Sequence, residues 1–145
     1  LLMNYLIDTN ICIYYLKGKF DLHLKFEEVG LENCFISEIT VAELKFGAEN
    51  SQNPVKARKL ADDLISKFSI VPIYNCLSFY AKEKARLRKL GTPLDEFDLL
   101  IGATAVSANM IMVSNNVKHL SRIKQIKLED WTKPTLNLPV LGLGA

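Results

Sequence analysis

The chain has 145 residues, enough for one domain with a single well-formed core. Hydrophobic residues make up 49% and charged residues 23%, an ordinary globular balance, and a net charge of +2 does not by itself mark a polyanion-binding protein. No apolar run approaches the roughly 18 residues of a membrane span, and Leu1-Leu2 before Met3 is too short for a signal peptide.

In chain order, Tyr5-Leu6-Ile7 comes first, an apolar run with the composition of a strand buried on both faces. Asp8-Thr9-Asn10 follows at once. The strand therefore delivers a carboxylate and two polar neighbours to the carboxyl edge of a sheet, where open α/β sheets bind ligands. These residue types also cap helices well, and a helix is expected from about Ile11 to Leu16, turning at Lys17-Gly18-Lys19. Asp21 is expected to cap a second helix through Leu24, Phe26 and Val29, ending at Gly30. Cys34-Phe35-Ile36 reads as a second buried strand ending at Ser37. In the helix that follows, Glu43 falls in the first or second turn, and Thr40-x-x-Glu43 fits a capping box. Pro54 suits the first turn of an amphipathic helix with Ala57, Leu60, Ala61, Leu64, Ile65 and Phe68 at helical spacing. Ile70-Val71-Pro72-Ile73 reads as a short strand whose proline argues for an edge or a strand end.

The next helix is expected from about Leu77 to Leu90, stopping at Gly91. Its polar side carries Lys82, Lys84, Arg86, Arg88 and Lys89, with Glu83 as the only acid. Such a face is solvated surface or a contact for a phosphate backbone. Asp95 and Glu96 lead into Phe97–Ala108, apolar nearly all round and expected to pack on the sheet, with Gly102 and the alanines permitting close approach. Asp98 stands out as a charge in the first turn of a buried helix, costly to bury without a cation. Met110–Val113 is another buried strand, followed by Ser114-Asn115-Asn116 at the same sheet edge, and Ile126-Lys127-Leu128 is a candidate last strand. Residues 132–145 carry prolines and glycines without periodicity and are expected to form an extended or disordered tail after a domain spanning 3–131. Strands alternating with helices predict a three-layer α/β/α domain with a mostly parallel sheet. Cys12, Cys34 and Cys76 are widely spaced among apolar neighbours, which suits reduced thiols in a cytoplasmic protein.

Asp8, Glu43 and Asp98 share one topological position, just after a strand end or at a helix start. A parallel sheet brings such positions to one rim. Three carboxylates gathered there repel one another unless a cation joins them. Oxygen-only donors favour a hard ion such as Mg²⁺ or Mn²⁺, and a water bound to that ion is a nucleophile suited to phosphodiester cleavage. His23 and His119 sit in no nucleophile–base motif, and His119 is expected to pack or cap. GxSxG, P-loop and GxGxxG patterns are absent from the sequence.

Four segments occur in a telling order: Asp8-Thr9-Asn10, Thr40–Gly47, Asp98–Ala105 and Val113-Ser114-Asn115-Asn116. Together they resemble the PIN-domain ribonucleases, specifically the VapC-type toxins of bacterial toxin–antitoxin pairs, over about Met3 to Trp131. The resemblance implies a metal-dependent endoribonuclease with Asp8, Glu43 and Asp98 as its metal-binding acids and Thr9, Asn10 and Ser114 as supporting polar groups. Asn116 would occupy the fourth acidic position, where many relatives carry aspartate, so the full four-acid pattern is not kept. The resemblance also implies RNA as substrate, transfer RNA among the candidates, a homodimer, and a VapB-type antitoxin that covers the site and carries the complex to operator DNA. The alternatives are a non-catalytic PIN-like RNA- or protein-binding module and a receiver-like signalling domain. Ser114-Asn115-Asn116 lacks the lysine that the receiver reading needs.

Overall fold

Every strand pairing among the described residues is parallel. The structure is a computed structural model describing residues 3–134. In chain order it contains β1 (Tyr5–Ile7), α1 (Thr9–Leu16), α2 (Leu22–Val29), β2 (Cys34–Ser37), α3 (Glu38–Glu49), α4 (Pro54–Ile65), β3 (Ser69–Val71), α5 (Leu77–Lys89), α6 (Glu96–Ser107), β4 (Ile111–Val113), α7 (Val117–Leu120) and β5 (Lys127–Glu129). Single turns of 3₁₀ helix precede β2 and α5. The sheet order is β3-β2-β1-β4-β5. The chain thus builds outward from β1 to β3, then crosses back and builds outward on the other side through β4 and β5. β3 lies at an edge, as its neighbouring proline requires.

The three layers follow from the alternation of side chains along each strand. Ile7, Ile36 and Val113 face one way and pack with Ile11, Phe26, Leu64 and Phe68. Leu6 and Met112 face the other way and pack with Leu87, Leu99, Ile101, Leu120 and Ile123. Trp131 closes the first core, 5.3 Å from the rings of both Tyr5 and Phe26. Gly102 lets α6 approach the chain behind β4: a Cβ there would stand 2.4 Å from Ile123 Cδ1. The three cysteines are buried and free. No helix among the described residues is long and apolar enough to cross a membrane.

Three local expectations are corrected. The capping box at Thr40 does not form, because α3 starts three residues earlier, with Ser37 as N-cap accepting from Ile39 N–H at 3.1 Å. Thr40 is instead buried inside the helix. Asp21 precedes α2 as expected, but its backbone is left-handed (φ 51°) and its side chain makes no capping hydrogen bond. Glu83 is not on the wet side of α5. It is buried, accepting from Arg86 Nε at 2.7 Å and Nη2 at 2.8 Å and from Lys124 N–H at 2.9 Å. α7 was not anticipated. The tail expected over 132–145 lies, beyond residue 134, outside the described residues.

Candidate active site

The sheet order reverses between β1 and β4, and the two strands are paired in register, Ile7 opposite Val113. In open α/β sheets the crevice beyond the strand ends at such a reversal is where ligands bind. Asp8 and Ser114, the residues immediately after those paired ends, meet there. Asp8 N–H donates to Val113 C=O at 2.9 Å, and Ser114 Oγ donates to Asp8 Oδ2 at 2.7 Å. Asp8 Oδ1 accepts from Thr9 N–H at 2.8 Å, so the carboxylate caps α1 with one oxygen and faces Ser114 with the other. The capping reading and the site reading of Asp8 therefore describe the same group.

Glu43 reaches the rim from the second turn of α3. Thr9 Oγ1 donates to Glu43 Oε1 at 2.6 Å and lies 3.0 Å from Thr40 Oγ1, linking the start of α1 to α3. Thr40 is thus a buried polar neighbour of the site that sequence reasoning used only as a cap. Asp98 arrives on the third residue of α6. That helix is capped by Asp95, whose Oδ2 accepts from Phe97 N–H and Asp98 N–H at 3.2 and 3.3 Å. Asn116 donates its backbone N–H to Ser114 Oγ at 3.0 Å and its amide Nδ2–H to Asp98 Oδ2 at 3.4 Å. One hydrogen-bonded chain thus runs Thr9–Asp8–Ser114–Asn116–Asp98, and Glu43 hangs from Thr9. Asn10 is exposed in the first turn of α1, and no hydrogen bond joins it to this chain. His119, expected to pack or cap, is exposed, with Nδ1 2.7 Å from Asn116 Oδ1. It lines a cleft of about 380 Å³ with Pro93, Leu94, Asp95, Asp98 and Asn116. The signal for His119 in the sequence was its i+3 spacing from Asn116, which aligns the two only once the short helix α7 is known.

The electrostatics are those of acids that no lysine or arginine pairs with among the described residues. Burial raises the Asp8 carboxyl to about 6 despite hydrogen bonds from Ser114 and Thr9, and the charges of Asp98 and Glu43 push the same way. Burial also raises Glu43, with Asp98 and Asp95 adding to it. Asp98 is raised by burial and by Asp95, against the Asn116 hydrogen bond and, when its ring is protonated, His119. These mutual effects place the three acids within electrostatic reach of one another. No Lys or Arg forms an ion pair with any of them among the described residues.

The donors here are all oxygens, as a hard divalent ion requires. Among the described residues no group of three or more Asp, Glu, His or Cys side chains is gathered closely enough to hold a metal ion by itself. Mg²⁺ keeps several waters and binds through one or two carboxylates, so it does not need such a group. Asp8 and Asp98, with Glu43 beside them, are the residues that could hold one at this rim.

A family model described as the PIN domain matches residues 5–126. The chain belongs to the PIN-domain family. Within it the chain is of the VapC type: it is 33% identical over 132 residues to Ribonuclease VapC2 of Haemophilus influenzae, covering 90% of this chain and 99% of that one. It is 29% identical over 131 residues to the tRNA(fMet)-specific endonuclease VapC of Salmonella typhimurium, covering 90% and 99%. Among solved structures, DNA-bound VapBC from Salmonella typhimurium superposes with a TM-score of 0.84 at 29% identity, covering 89% of this chain and 98% of that chain. The three-layer architecture with a parallel sheet is thus the fold of a VapC-type PIN domain.

Proposed function

We propose that this VapC-type PIN domain is a Mg²⁺- or Mn²⁺-dependent endoribonuclease toxin that cleaves RNA and arrests growth unless a VapB-type antitoxin covers it. The observation that carries the reading is the set of three acids, Asp8, Glu43 and Asp98, on one rim at the sheet's reversal point, with raised carboxyl pKa values and no basic side chain among the described residues paired to them. Such a cluster is electrostatically incomplete, and a divalent cation completes it. When bound, that cation supplies positive charge against the scissile phosphate and an acidified water. The rest falls to the chain's own residues. Ser114 and the Thr9 N–H fix the Asp8 carboxylate, so that it does not swing away from the rim. Thr9 aims Glu43, and Asn116 steadies Asp98 where relatives carry a fourth acid. The N-termini of α1 and α6 turn partial positive charge toward the rim, which favours an anionic substrate.

The relatives' names extend the reading. An endonuclease specific for tRNA(fMet) makes transfer RNA a candidate substrate here, and a DNA-bound VapBC complex supports an antitoxin partner through which operator DNA is reached. Homodimer formation and action in the cytoplasm complete the proposal. The non-catalytic alternative would leave an uncompensated acidic rim without a use.

The test is cleavage of structured RNA by purified protein, with Mg²⁺ or with EDTA, beside Asp98→Asn. Cutting that requires the ion and disappears in the variant supports the proposal. Equal cutting by Asp98→Asn, or none with Mg²⁺ or Mn²⁺, overturns it.

A further inference from the structure

One ring at the rim has no part in the chemistry above. His119 is exposed, sits on α7 three residues after Asn116, and shares the cleft with Asp98. Proton counting fixes which ring nitrogen faces Asn116 as a donor. An ionised Asp98 can only accept, so the Asn116 atom 3.4 Å from its Oδ2 is the Nδ2 donor. The opposite amide orientation would set two acceptors against each other. Asn116 therefore turns its Oδ1 to His119 Nδ1, 2.7 Å away. An amide oxygen has no proton to give, so Nδ1 carries it. In the neutral ring Nε2 is left as an acceptor. The ring is also braced from below: Asn116 N–H donates to Ser114 Oγ at 3.0 Å, and the next residue after His119, Leu120, is fully buried.

The rest of the cleft offers the carboxylates of Asp95 and Asp98 and the apolar surfaces of Pro93 and Leu94, and no lysine or arginine is among its lining residues. With the ring neutral, a phosphate oxygen would meet only acceptors on these side chains. A group with a proton to give finds a partner. In RNA the sugar supplies one, the 2′-hydroxyl, and this is the group that separates RNA from DNA.

We propose that His119 Nε2 accepts a hydrogen bond from a ribose 2′-hydroxyl of RNA seated in the cleft beside Asp98, which makes His119 a substrate-contacting residue that favours RNA over DNA. The inference rests on the nuclease reading and adds to it the group on the substrate that the chain recognises.

The experiment first maps the cut in a transfer RNA pool and then uses a short synthetic RNA spanning it, with single 2′-deoxy substitutions scanned across the site. Wild type should lose about 5-fold to 10-fold in kcat/KM at one deoxy position, the effect of one hydrogen bond. His119→Ala should lose a similar factor on the all-RNA strand and lose nothing more at that position. His119→Gln, which can present an amide oxygen, should recover part of the loss and serves as the reporter if the alanine variant has a lowered Tm. A second readout needs no cation: fluorescence anisotropy of the labelled RNA in EDTA should show several-fold weaker binding by His119→Ala, and no such difference with the all-deoxy strand. The inference falls if the losses from His119→Ala and from each deoxy substitution multiply at every position. It falls if inosine for guanosine, rather than loss of a hydroxyl, abolishes the His119 effect, or if His119→Ala matches wild type in both assays. If wild type cuts no RNA under any cation, the nuclease reading fails, and the anisotropy comparison of RNA with its all-deoxy counterpart decides the role of His119 by itself.

Discussion

Asp8 and Glu83 are equally hidden, 5% and 4% exposed, yet the protein treats the two carboxylates in opposite ways. Glu83, on α5, receives both arms of the Arg86 guanidinium and the Lys124 N–H, and the Arg86 bonds hold its carboxyl below the usual range. Asp8, at the sheet's reversal, receives only neutral donors, and burial drives its carboxyl up to about 6. The first arrangement ties a helix to the loop after α7 and is complete in itself. The second leaves a negative charge without a basic partner among the described residues, as expected of a group whose counter-charge comes from outside. A buried acid alone says little about function. Whether the fold supplies its counter-charge says much more.

The comparison breaks most sharply at activity. Asp8→Asn keeps hydrogen bonding at Thr9 and Ser114 but removes the charge. RNA cleavage should fall by roughly 1000-fold, the order expected from losing several kcal/mol of charge stabilisation. Glu83→Gln, assayed under the same conditions well below its Tm, should keep cleavage within about 5-fold of wild type, since a shift under about 1 kcal/mol in the barrier stays inside that range. A comparable collapse in both variants would erase the distinction.

Stability separates the two acids next, with opposite pH dependence. Asp8 has a folded value near 6 against an ordinary 3.8, so folding prefers its protonated form. Below the ordinary value Asp8 imposes no charge penalty. As pH rises from there through about 6 the folded state loses on the order of 2–3 kcal/mol. Asp8→Asn should therefore raise Tm at pH 7.5 and leave it unchanged at pH 4. Millimolar Mg²⁺ should raise the Tm of wild type at pH 7.5 by binding the native state, and should do so far less for the variant. Glu83 runs the other way: its folded pKa is lowered, so its contribution is in place above the ordinary carboxylate range and is lost as pH falls through the lowered value. Glu83→Gln should cost about 2 kcal/mol at pH 7.5, read by urea unfolding, because it leaves a buried pair without its charge. The smallest effect belongs to packing alone. Gly102→Ala should cost about 1 kcal/mol as Ile123 moves aside, with cleavage and Mg²⁺ response unchanged.

The two acids also mark how far the sequence could be read. Asp8 and Asp98 were legible because each breaks an apolar pattern at a strand end or helix start, where a parallel sheet gathers residues. Glu83 was not, because a helix face written Lys82-Glu83-Lys84-Ala85-Arg86 looks uniformly wet, and only the return of residues 122–124 against α5 buries it. Thr40 failed for a related reason. Ser37 and Thr40 both make good caps three residues apart, and the burial of Thr40 against Thr9 decides between them. The hydrogen bond from Thr9 to Glu43 spans 34 positions, and no local rule predicts it.

The bond between Ser114 and Asp8 spans 106 positions, and Asp8 N–H rests on the carbonyl of Val113. During synthesis the first strand leaves the ribosome long before the strand that completes its pocket exists. A nascent or truncated chain that stops short of β4 therefore lacks the neighbours that hold Asp8 in place. Any catalytic power this rim possesses arises only once β4 has left the ribosome, so no shorter nascent chain carries it.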